Sequence, residues 1–78
     1  MREGAITLTT LASRLERVLQ CDVGMAGLET LLHGWIRKSG VLSRETLRQR
    51  KKSDGVAWLG PYEARLFSMY AGYDLTQE

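Results

Sequence analysis

Four stretches of the chain carry apolar residues at the spacing of a helix face, with breaks between them. From about Leu8 to Gln20, the residues Leu8, Leu11, Leu15, Val18 and Leu19 share one side, while Arg14, Glu16 and Arg17 point away. Thr7 stands just before this run, placed to cap it by accepting from an orphan amide of the first turn. From about Met25 to Ser39, a stripe of Met25, Leu28, Leu31, Leu32, Trp35 and Ile36 is broad enough to centre a core. Arg37 and Lys38 suit the negative end of that helix, and Gly40 is a natural left-handed stop.

The third stretch opens at Ser43, a good cap with Glu45 in the favourable first turn, and runs to about Lys52 before Asp54-Gly55. Leu47 is its single apolar residue, so hydrophobic area alone cannot hold it to a core. The fourth opens at Gly60-Pro61, runs to about Ala71 and is closed by Gly72; Tyr62, Leu66, Phe67, Met69 and Tyr70 are its apolar side. Between the last two lies Val56-Ala57-Trp58-Leu59, β-prone but without a visible pairing partner, and read as a packed linker. Gly34, inside the second stretch, costs about 1 kcal/mol relative to alanine and points to close approach by another helix. The pattern predicts an all-α fold: a small bundle of four short helices in a single domain, 1–78, with 1–5 and 76–78 frayed.

Composition narrows the function classes. Seventy-eight residues with 44% hydrophobic, 26% charged and one proline describe a folded chain and not a disordered one. One cysteine, Cys21, excludes an internal disulfide framework, and with one histidine, His33, it cannot supply the four soft ligands of a structural zinc site. No apolar run reaches the length of a membrane span, and Met1-Arg2-Glu3-Gly4 does not open a signal peptide, so the expected home is a reducing cytoplasm. No serine or cysteine is matched to a histidine and an acid, and no carboxylate cluster suggests metal or glycosidic chemistry. The expectation is therefore a non-enzyme without cofactor or metal.

Charge is distributed unevenly. From Arg37 to Lys52 stand Arg37, Lys38, Arg44, Arg48, Arg50, Lys51 and Lys52 against Glu45 alone, a local +6 beside −4 for the remainder. Such a block is the footprint expected where phosphates are met, although a solvated helix face can carry the same charges. At about 100° per residue, Arg44, Arg48 and Lys51 share one side of their helix, read as lying away from Leu47. A glycine-ended helix, a tight turn and a serine-capped, arginine-rich helix (Gly40 through Arg50) resemble the second half of a helix-turn-helix. The run Ser43-Arg44-Glu45-Thr46-Leu47-Arg48 is similar to recognition helices of small phage and mobile-element regulators, and Thr7 through Leu15 looks like their opening helix. The resemblance covers about a third of the chain and implies that the third helix lies in the major groove of duplex DNA. By the same resemblance Leu47 is the buried anchor, and Ser43, Arg44, Thr46 and Arg48 face base edges or phosphates. Arg50, Lys51 and Lys52 serve flanking phosphates, and Arg37 and Lys38 join the DNA-binding set.

Five of the six aromatics fall in the last twenty-one residues. Core packing, a subunit interface and base stacking all draw on such residues. Trp58, Tyr62, Phe67 and Tyr70 are the candidate interface, serving a homodimer that presents two recognition helices to half-sites. The expected function is a small DNA-binding transcriptional regulator. The alternative is a helical interaction module, a phage- or plasmid-type inhibitor or adaptor, docking its basic helix on an acidic surface of a larger host protein.

Overall fold

The computed structural model describes residues 3–77, and its elements follow the caps that the sequence supplies. In chain order they are β1 (Ile6–Thr7), α1 (Leu8–Leu19), α2 (Gly24–Ser39), α3 (Arg44–Asp54), β2 (Trp58–Leu59) and α4 (Pro61–Ala71). The fold is a small all-α bundle of four helices, as the periodicity predicts, with one short strand pair added. Of the ends expected to fray, Met1, Arg2 and Glu78 lie outside the described residues.

Each helix end has an identifiable cause. The Thr7 hydroxyl accepts from the Thr10 amide at 3.2 Å and starts α1. At its other end Gln20 takes a left-handed conformation, φ 57° and ψ 39°, and donates its amide to the Glu16 carbonyl at 2.7 Å. A side chain with a Cβ is strained there, so Gln20→Gly is expected to raise stability by about 0.5–1 kcal/mol, read as a higher urea midpoint at unchanged slope. The start of α2 has no side-chain cap of its own. Glu16, reaching across from α1, accepts from the amides of Val23 and Gly24 at 3.1 and 3.0 Å. The Gly24 amide, then a hydrogen bond from Asp22, then the Val23 amide hold the Glu16 carboxyl below its usual range. Asp22 is pushed up in turn by its hydrogen bond to Glu16 and by that neighbour's charge.

The core is drawn from every element except β1. Leu11 and Leu15 of α1 meet Leu28, Leu32 and Trp35 of α2, with Leu47, Leu59 and Phe67 closing the remaining sides. The Trp35 and Phe67 rings are tilted by 60° at a centroid distance of 5.4 Å, a favourable edge-on arrangement. Gly34 of α2 faces the Tyr70 hydroxyl of α4, which a Cβ at that position would approach to 3.0 Å; this is the close approach the glycine signals. Val18, Leu19 and Met25, placed in the apolar stripes by periodicity, are exposed because the stripes run past the area their neighbours cover.

Two features depart from the sequence reading. The stretch 56–59 is not an unpaired linker: Trp58–Leu59 pairs antiparallel with Ile6–Thr7, Ile6 opposite Leu59 and Thr7 opposite Trp58. Beside it the Leu8 amide donates to the Ala57 carbonyl at 3.1 Å. The partner lies at the far end of the chain, where no local pattern advertises it. The tail after α4 also turns back: Leu75 is fully buried, its amide donating to Ser68 Oγ at 3.0 Å and its carbonyl accepting from Arg14 at 2.9 Å. Thr76 hydrogen-bonds Asp74 through both hydroxyl and amide, which holds the Asp74 carboxyl below its usual range.

Candidate nucleic-acid interface

α3 is attached to the domain along one side only. Leu47 is its single buried side chain, and Arg50 flanks it on the same inward side. The Arg50 guanidinium donates to both carboxylate oxygens of Glu63 at 2.7 and 3.0 Å and to the Trp58 carbonyl at 2.9 Å. It also lies 4.1 Å over the Trp58 ring, whose Nε1 donates to Asp54 at 2.7 Å. The Arg50 and Glu63 side chains are only 16% and 14% exposed. Glu63 accepts from the Gly60 amide at 2.8 Å as well, so one cluster ties α3, β2 and the start of α4 together. Arg50, assigned from sequence to a flanking phosphate, is committed to this interior pair. A helix with one apolar residue, Leu47, is held to the domain chiefly by this cluster.

The other cations of the set stay exposed: Arg44, Arg48, Lys51 and Lys52 on α3, with Arg37 and Lys38 at the end of α2. The expected faces need one revision. At about 100° per residue Leu47 lies within about 60° of both Arg44 and Lys51, not opposite them. Arg44, Arg48 and Lys51 accordingly border a shallow cleft against α2, with Leu32 and Leu47 at its base and Glu29 and His33 across it. His33 and Arg44 also border the adjoining cleft under the α2–α3 turn, beside Arg37 and Ser43. The outward face of α3 is the arc Arg44, Arg48, Lys52, Glu45 and Gln49, all exposed.

Within that arc Glu45 organises its neighbours. Its carboxylate accepts from Arg48 at 3.0 Å and from the Gln49 amide at 3.1 Å. Side-chain exposures of 74% and 60% make the Arg48–Glu45 pair a weak one, worth about 0.3–0.5 kcal/mol and readily exchanged for another acceptor. Gln49 is the residue that the sequence reading missed, although counting angles outward from Leu47 would have found it. Ser43 accepts from the Thr46 amide at 3.1 Å, and the two hydroxyls bond each other at 2.9 Å, so both serve the helix cap and are not extended as free readers.

The candidate interface residues divide. Tyr62 and Tyr70 are on the surface, whereas Trp58 is nearly enclosed under Arg50 and Phe67 is fully buried against Trp35. Core packing and an interface are both open to these aromatics from sequence; the structure gives Phe67 to the core side of α4 and leaves Trp58 nearly enclosed, so neither is a surface anchor. Among the described residues no group of three or more His, Cys, Asp or Glu could hold a metal ion, and no helix is long and apolar enough to cross a membrane. Comparison with protein-family models, curated proteins and solved structures returns no match.

Proposed function

We propose that this chain is a small cytoplasmic DNA-binding regulator of transcription that lays the outward face of α3 in the major groove. The observation that carries the reading is the division of labour on α3. One leucine and one arginine are turned inward to hold it, and the rest of the helix is a projecting polar and basic face. Arg48 and Gln49 suit base edges, since arginine pairs with guanine and glutamine with adenine, and their weak contacts to Glu45 are readily exchanged for a base. Arg44, Lys51, Lys52, Arg37 and Lys38 supply phosphate contacts, the last two from the neighbouring helix end. In a helix-turn-helix arrangement, α2 would cross the backbone in this way.

Five phosphate contacts give a salt slope near −4.5, a loss of about 500-fold in affinity for random-sequence duplex between about 50 and 200 mM salt. Reversing two exposed cations, Arg44→Glu with Arg48→Glu, is expected to weaken duplex binding by about 100-fold or more and to flatten the salt slope by about 1 for the lost Arg44 phosphate contact. The melting temperature should stay unchanged, because both side chains are solvated. Fluorescence anisotropy with labelled duplex reads all three quantities. Binding that ignores both salt and the double reversal would exclude this reading. A second reading, in which the basic face meets an acidic protein surface, draws on the exposed Tyr62 and Met69 as anchors. It predicts capture of an acidic partner by wild type but not by the double reversal, with duplex binding absent from both.

A further inference from the structure

The outer face of α4 carries the two most exposed large apolar side chains, Tyr62 at 69% and Met69 at 72%. With Arg65 they occupy a stripe about 60° wide on the helix, away from Ala64 and Phe67, which are buried. Just beyond Met69 the chain leaves α4 at Gly72, and a shallow cavity opens there, bordered by Arg65, Met69, Gly72, Tyr73 and Asp74. The same helix face thus bears a projecting ring at its start and a recess at its end, about 10 Å apart at 1.5 Å per residue.

We propose that a second copy of this chain docks on this face, the two α4 helices running antiparallel about a two-fold axis. Each Tyr62 then fills the recess of the other copy between Met69 and Tyr73. An isologous contact requires one patch to hold both the knob and the hole, and this patch does. Its charges suit a copy of itself: Arg65 and Asp74 border the recess with opposite signs, so two such faces meet without net repulsion. The Arg65 guanidinium stands where it can cover the incoming ring of Tyr62. Tyr62, Met69 and Tyr73 together offer roughly 400 Å² of side-chain surface, about half of a standard contact per partner and in the range of weak, transient ones. The dimer is therefore a modest one, with a Kd on the order of micromolar.

Sedimentation equilibrium of the full chain from about 1 to about 300 μM tests this, the range bracketing a micromolar Kd. The expected mass rises from 8.8 kDa to twice that value. Met69→Glu places a charge in the contact and should weaken the dimer by about 100-fold or more, and Tyr62→Ala by about 10-fold or more. Both variants should melt with wild type, since neither side chain belongs to the core. A monomer at every concentration, its α4 face open to an unrelated partner, overturns the proposal, as does a dimer indifferent to Met69→Glu. The DNA reading fails separately: a monomer that binds duplex leaves it standing, and a dimer that ignores duplex removes it.

Discussion

Arg50→Ala should lower the free energy of unfolding by about 3–5 kcal/mol, the cost of breaking an enclosed ion pair from one side. Four interactions go at once: two hydrogen bonds to Glu63, one to the Trp58 carbonyl, and the cover over the Trp58 ring. The Glu63 carboxylate, 14% exposed, keeps its charge and loses the guanidinium that balanced it. A domain of this size has only about 4–12 kcal/mol in all, so the loss is a large fraction of its stability. Arg50→Lys retains the charge but not the fork, and an intermediate loss of about 1–2 kcal/mol is expected. Urea titration followed by tryptophan fluorescence measures both, Trp58 lying directly under the substituted group. A loss below about 1 kcal/mol for Arg50→Ala would mean that α3 is held by something other than this cluster.

Phe67→Ala is expected to cost about 3–5 kcal/mol, because the ring has no exposed surface and packs on Trp35. Phe67→Leu, closer in volume, should cost about 1–1.5 kcal/mol. The sequence leaves Phe67 open to a core or an interface place, and the experiment separates the two. An anchor would leave the melting curve where it was and weaken only association. The near-ultraviolet circular dichroism of Trp35 reports the loss of packing directly, and Tyr62→Ala in the same assay is the surface control.

The helices were legible because their determinants are local. Thr7, Ser43 and Pro61 sit at helix starts, Gly40, Gly55 and Gly72 at helix ends, and leucine spacing marks the inner faces. The strand pair was not legible, since Ile6-Thr7 and Trp58-Leu59 mean little until each is known to lie beside the other. Arg50 illustrates the same limit within the site. Its neighbours in sequence are Gln49 and Lys51, both exposed, and only Glu63, thirteen residues on, explains why it turns inward. Charge density marks the segment 37–52 as a candidate surface, but which of its side chains face outward and which tie inward depends on tertiary partners. Gln49 was passed over because a search for cations does not stop at an amide.

Leu75 and its two hydrogen bonds bear on how the chain is made. The carbonyl held by Arg14 and the amide held by Ser68 join the first helix to a segment synthesised after all four helices. The β1–β2 pairing likewise joins residues about fifty positions apart in the chain. On a translating ribosome α1 and α2 emerge able to pack on each other, while the sides that Leu47, Leu59 and Phe67 close still face water. At about 5–20 residues per second this interval lasts for seconds, far longer than a small helical chain needs to fold. The core is thus complete only once Leu75 has emerged.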